Sequence, residues 1–390
     1  MKPAIPVKHV SYITSIALDR ISGGFSAMNR AMFDSLTSKY ICDYIGPVNP
    51  KPIFSQHFLS KAGRMLRLGG DFFFFSEKRL EAIRTAVEKR LAASSALFAI
   101  FHGFTPWIHI RPPMPYIAWC DCTFWQYIHI YHDAGRFRSS DLQRIKEREA
   151  AWLRNAERVI FRSEWAASEA IRDYRLNPDR VGIVGNYGFM KPPPRDLYEL
   201  GQDFLMITTN FRQKGGPVSV EAFRQVHLKH PGTRLVIVGD HPGEKLLREP
   251  GVVYLGWIDK SNSDQTDVLR AAFASARCLI HPTTADINPT VLVEAGYFGC
   301  PSITTKRFAI PEMVKDGISA ILLEDPTNVT AIAGAMAWML EQDQCYLRMR
   351  QEARNQMLRN YTVEVFRERL AAEFATVEKG LKLKPSESAV

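Results

Sequence analysis

Short β-branched and aliphatic runs alternate with helical patterns along the whole chain, and this alternation restricts the fold to parallel sheets covered by helices on both faces. Strands are expected near residues 9–14, 42–45, 97–101, 116–119, 158–161 and 182–184, and again near 204–208, 234–238, 252–255, 278–281, 302–304 and 320–323. Helices fill most of the gaps. Ser163 reads as the N-cap of a helix from Glu164, and Gly23-Gly24 sits where the first strand hands over to a helix ending near Ser38.

A chain of 390 residues is too long for one ordinary core and about right for two. The run Lys191-Pro192-Pro193-Pro194 has the composition of an interdomain linker, and the α/β pattern restarts after it. The expected division is a first domain over 1–190, a second over 191–362, a helix over 363–380 that is a candidate to cross back to the first domain, and a polar tail over 381–390. The fold class is α/β, with two doubly wound Rossmann-like domains.

With 46% apolar and 23% charged residues the composition is that of a globular protein, and no apolar run approaches the roughly 18 residues of a membrane span. The N-terminal stretch holds His9 and leads into Asp19 and Arg20 without a small-residue cleavage pattern, which argues against a signal peptide. Six cysteines (Cys42, Cys120, Cys122, Cys278, Cys300 and Cys345) are scattered. Cys120-x-Cys122 lacks the gap and the second cluster of a zinc site, so they read as reduced, mostly buried thiols of a cytosolic protein.

A net charge of +9 calls for an anionic partner, whether nucleic acid, a phosphorylated small molecule or an acidic membrane face. No zinc finger, RNA-recognition signature or dense basic arm is present, which sets nucleic acid aside. Residues 54–75 place Lys61, Arg64 and Arg67 at helical spacing among Phe58, Leu59, Met65 and Leu66 and end in four phenylalanines. Two readings stand for this segment: a surface helix resting on anionic lipid, or a helix and loop capping the first domain's core.

The stretch from His281 to Pro301 carries most of the chemistry. A strand ends near His281, a short loop follows, Asn288 suits an N-cap, Pro289 suits the first helical position, and the helix stops at Gly299. A helix N-terminus at the carboxyl end of a parallel strand offers unpaired N–H groups and a positive dipole end, which favour phosphate. Asp286 lies just outside this helix, and Glu294 lies inside it with its side chain tilted back toward the N-terminus. Ionised carboxylates accept hydrogen bonds, so the two suit hydroxyls of a ribose and a sugar rather than phosphate.

This stretch resembles the signature of the retaining glycosyltransferases of family four, the glycosyl transferases group 1, which have the GT-B fold. That signature is two acidic residues separated by seven others, then Ala, a small residue and Gly-x-Pro; Asp286 and Glu294 fall on the acidic pair. The resemblance implies two domains facing a cleft and a nucleoside-diphosphate sugar as donor. It implies that the first acid lies near the donor sugar and the second holds the ribose, with Asn288, Pro289 and Thr290 also at the donor. The family usually has Glu at the first acidic position and Phe-Gly where this chain has Asn288-Pro289.

A second match runs from Phe204 through Asn210, Arg212, Lys214, Gly215, Gly216 and Pro217 to Gly239-Asp240. It is similar to the family's strand, basic loop, Lys-Gly, helix and Val-Gly run, in which an Arg and a Lys clamp the diphosphate. Lys214 falls on the motif lysine. Arg212 lies two residues before it, whereas the family's arginine more often lies further upstream, at Thr208 or Thr209 here. Tyr254-Leu-Gly256-Trp257-Ile258 resembles the strand and loop over the nucleotide base, and Ile310-Pro-Glu312 the family's Pro-Glu loop. Gly23-Gly24 resembles the glycine loop that approaches the donor phosphates. Where many relatives carry a histidine near the donor sugar this chain has Asp121, which is expected to take over a sugar contact. His102 stands between acceptor contact and packing; Trp119, Phe124, Trp125, Tyr127 and Tyr131 read mostly as core.

The implied reaction is a retaining, metal-independent glycosyl transfer in which Asp286, Lys214, Arg212 and Asp121 act at the reacting centre. No Asp-x-Asp pair occurs, and neither a metal site nor a cofactor is expected; Arg212, Lys214 and the helix at Pro289 neutralise the leaving diphosphate instead. The expected partners are a nucleotide sugar and a glycan or lipid-linked acceptor, with peripheral contact to an anionic membrane and no nucleic acid. The expected location is cytoplasmic, including a peripheral position at the inner membrane face. Two rivals stand beside this reading. One is a hydrolysing nucleotide-sugar epimerase of the same fold; the other is a non-catalytic GT-B protein that binds a nucleotide or a protein partner.

Overall fold

The structure, a computed structural model, describes residues 8–19, 24–50, 70–103, 106–198 and 200–383. Each half of the chain builds a six-stranded sheet. The first holds β1 (His9–Thr14), β2 (Ile41–Ile45), β3 (Phe98–His102), β4 (Tyr116–Cys120), β5 (Arg158–Phe161) and β6 (Val181–Ile183), in the order β2-β1-β3-β4-β5-β6. The second holds β7 (Asp203–Thr208), β8 (Leu235–Gly239), β9 (Val252–Tyr254), β10 (Ala276–His281), β11 (Ser302–Thr305) and β12 (Ala320–Leu323), in the order β12-β11-β10-β7-β8-β9. Every strand pairing is parallel, as a doubly wound fold requires.

The strands are apolar throughout because both of their faces are covered. In β7, Phe204 and Met206 pack with Ile332 and Met336, whereas Leu205 packs with Leu292, Val293 and Phe298 on the opposite face. Ser163 caps the helix Glu164–Tyr174 by accepting from the Ala166 amide at 3.2 Å.

The chain divides into two compact units, Met1–Val184 with Arg367–Val390, and Gly185–Phe366. The division falls before the proline-rich run, not at 190/191. Residues 187–190 belong to the second unit: Tyr187 and Met190 are buried, and the Gly188 amide donates to the Tyr297 hydroxyl at 3.0 Å. The prolines are themselves tied down, since Arg354 donates to the Pro193 carbonyl at 2.5 Å and Arg350 grips Asp196 with two nitrogens at 2.6 and 2.7 Å. The last helix, Val363–Leu383, belongs to the first unit from Arg367 onward, where it lays Phe374 against Tyr40 and Phe98, and Glu373 accepts from Arg158.

Of the segment 54–75, residues 54–69 lie outside the described residues. Phe72 and Phe75 are buried in the first unit's core, and Phe74 is 59% exposed beneath the Arg79 guanidinium. No helix among the described residues is long and apolar enough to cross a membrane.

Candidate functional site

In the second sheet the chain winds outward from β7 to β9, then returns to start again at β10, so β7 and β10 are neighbours at a topological switch point. Loops leaving the carboxyl ends of two such strands diverge to opposite faces and leave a crevice where ligands bind. The two matched motifs occupy these two loops.

The loop after β7 is a tight turn. Its Phe211 amide donates to Asp240 at 2.9 Å, and the Gly216 amide to the Phe211 carbonyl at 2.8 Å. Gly215 has φ +82, and a Cβ there would lie 2.3 Å from the Pro282 carbonyl oxygen, so only glycine lets the two loops pack. Across this seam Lys214 Nζ donates to the Ala285 carbonyl at 3.2 Å and pairs with Asp286 Oδ2.

Asp286 Oδ2 also lies 3.3 Å from Nε2 of His281, the buried last residue of β10. Burial disfavours the Asp286 carboxylate, but the Lys214 charge and the His281 contact outweigh it and hold its pKa well below the usual carboxylate range. Burial pushes the His281 pKa down, against the pull of Asp286.

The following helix is Thr290–Tyr297, and its N-cap is Pro289 rather than Asn288. The shift has a physical cause: the Asn288 side chain is engaged elsewhere, accepting from Asn186 Nδ2 at 3.0 Å, so it does not cap the helix. Asn186 also donates toward the Thr290 hydroxyl at 3.4 Å. Gly299, with φ +67, follows the helix end.

Glu294 sits inside this helix with its side chain only 2% exposed. Both of its oxygens accept from Lys260 Nζ, at 2.7 and 2.5 Å, and Oε1 accepts from the Phe189 amide at 3.1 Å. The two expected acids therefore each form an ion pair, Asp286 with Lys214 and Glu294 with Lys260. Lys260 and His281 are the partners that sequence reasoning left without a role. His281 was visible as the strand's last residue; nothing local marks Lys260.

The remaining candidates fall around these pairs or outside them. Arg212 is exposed on the β7 turn. Gly256, at φ +81, accepts from the Gly239 amide at 2.8 Å; Trp257 beside it is 57% exposed, and Ile258 is half-buried. In the first unit, Asp121 accepts from Arg162 at 3.1 Å just after β4, and Gly24 opens the helix Gly24–Thr37. Gly23 lies outside the described residues. His102 is fully buried and stacked on Trp119 with ring centroids 4.5 Å apart, which is packing. No group of metal-ligating side chains occurs among the described residues.

Residues 202–342, which hold both loops, match the family model described as glycosyl transferases group 1. The chain resembles that family. Among curated proteins, the phosphatidylinositol N-acetylglucosaminyltransferase gpi3 subunit of Schizosaccharomyces pombe is 28% identical over 189 residues, 47% of this chain and 40% of that protein. The chain thus matches well under two thirds of this relative's length. Among solved structures, a sucrose-phosphate synthase from Thermosynechococcus elongatus superposes with a TM-score of 0.69 at 14% identity, covering 96% of this chain and 100% of the other. Anabaena HepE, solved with UDP-glucose, superposes with a TM-score of 0.65 at 14% identity, covering 94% and 99%. At such identities the likeness is one of fold, and the fold is that of the GT-B glycosyl transferases.

Proposed function

We propose that this protein transfers a sugar, with retention and without a metal ion, from a nucleoside-diphosphate sugar to a hydroxyl of a glycan or lipid-linked acceptor. The observation that carries this reading is the Lys214–Asp286 pair at the β7/β10 switch point, one loop before a helix N-terminus. The donor's diphosphate lies over that N-terminus and takes Lys214 from Asp286. Asp286 keeps His281 and accepts from the sugar's hydroxyls, while Glu294 holds the ribose. As the bond to the sugar breaks, negative charge gathers on the leaving phosphate, where Lys214 and Arg212 together with the helix dipole supply about 100- to 1000-fold in rate. The leaving phosphate oxygen takes the acceptor's proton, so positioning replaces a dedicated base.

The gpi3 subunit's printed name, an N-acetylglucosaminyltransferase, and the UDP-glucose bound to HepE support the donor class. The net charge of +9 supports an anionic substrate and a membrane-peripheral setting. One observation favours the non-catalytic alternative: both acids already carry lysine counter-ions.

A thermal-shift screen against UDP, GDP, ADP and dTDP, with and without EDTA, tests the reading. The expected result is stabilisation by one diphosphate that survives EDTA and is lost in Glu294→Ala, together with donor hydrolysis abolished by Lys214→Ala. Stabilisation without any donor turnover would move the assignment to the binding protein.

A further inference from the structure

The buried Glu294 carboxylate has more donors than a nucleotide-free ribose site needs. A carboxylate offers about four acceptor positions. Lys260 fills two of them and the Phe189 amide a third, leaving too few for the two vicinal hydroxyls of a ribose. Phe189 contributes backbone and has no freedom to leave. Lys260 contributes the end of a flexible stem whose side chain is 32% exposed.

The loop behind Lys260 is anchored. The Lys260 carbonyl accepts from the Thr266 hydroxyl at 3.2 Å, and the Asp259 amide donates to Gln265 at 2.7 Å, both from the first turn of the helix Ser263–Ser275. The same loop carries Gly256, Trp257 and Ile258.

We propose that Lys260 is a positioning residue for the donor: its ammonium holds both Glu294 oxygens in the nucleotide-free protein and gives them up to the ribose hydroxyls when a nucleoside diphosphate binds. This inference rests on the donor-site reading above. The ammonium serves two ends. It offsets the cost of burying a lone carboxylate. It also ties the 255–262 loop to the helix that carries Glu294, so that ribose binding and loop position are coupled through one side chain.

The test is isothermal titration at pH 7.5 with whichever of UDP, GDP and ADP stabilises the wild-type protein most, and with its 2′-deoxy counterpart. In Lys260→Met the ratio of the 2′-deoxy Kd to the ribonucleotide Kd is expected to change at least about tenfold from its wild-type value, and Lys260→Arg, which restores a cation, to bring it back toward wild type. A Glu294→Gln background carries the test by a second route: adding Lys260→Met to it is expected to leave that ratio unchanged. An unchanged ratio in Lys260→Met, or a change that persists in the Glu294→Gln background, would overturn the role of Lys260 while leaving the donor site standing. Wild-type protein that binds none of the three nucleotides would remove the donor site itself, and this inference with it.

Discussion

Lys214 and Asp286 meet across the seam between the loops that follow β7 and β10, and His281 contacts the same Asp286 oxygen. A carboxylate held by both a cation and a buried imidazole is fixed in orientation and kept ionised. In the proposed reaction the cation leaves for the diphosphate, and the imidazole keeps the carboxylate in place.

The two members of the pair are therefore expected to fail differently. Asp286→Asn keeps the shape and releases Lys214, so diphosphate affinity should be unchanged or tighter while turnover falls about 100-fold or more. Lys214→Ala should instead weaken diphosphate binding by at least about tenfold, the scale of one charge-assisted hydrogen bond. Calorimetry with the diphosphate, set beside donor turnover, separates the two patterns.

Gly215→Ala is expected to disturb this seam from the backbone. The residue has φ +82, and a methyl group there would meet the Pro282 carbonyl and its ring. Strain of roughly 1–3 kcal/mol is expected, with a lower urea midpoint and weaker diphosphate binding. An unchanged midpoint would contradict the packing described.

The first unit holds a buried carboxylate with a separate pH signature. Glu149 is fully buried and accepts from the Phe124 amide at 2.7 Å and from the Tyr174 hydroxyl. Burial raises its pKa to about 8, against the lowering effect of these two donors. The folded protein thus holds a proton that the unfolded chain releases near pH 4.3. Its contribution to stability is full below that pH and is lost as the pH rises toward 8. Urea midpoints at pH 5, 6, 7 and 8 should show this decline in the wild type and a smaller one in Glu149→Gln.

Arg350 is buried and bonds to both Asp196 oxygens and to the Phe298 carbonyl, while its guanidinium lies 4.0 Å from the centre of the Tyr198 ring. Arg350→Met leaves Asp196 with only the Tyr198 amide and takes the donor from the Phe298 carbonyl, and is expected to cost about 2–4 kcal/mol. Urea unfolding checks it, and the second unit's transition should move while the first unit's stays.

The strands and the order of the motifs were legible because they are local. Apolar runs of strand length, broken by caps such as Ser163, need no knowledge of what packs against them, and β1, β5 and β12 begin and end at the expected residues. Lys214, Asp286 and Glu294 were marked by spacing along one loop or one helix.

What the tertiary structure decided were the partners. The Asn288 side chain does not cap the helix Thr290–Tyr297 because Asn186 occupies it, and the division falls at Val184 because Tyr187 and Met190 are buried with the second unit. Lys260 reaches Glu294 from the far end of another βα connection. Periodicity is a property of neighbours in sequence. Which cation faces which buried carboxylate depends on where crossover connections return their loops, and this is settled only when the sheet has closed its order around β7 and β10.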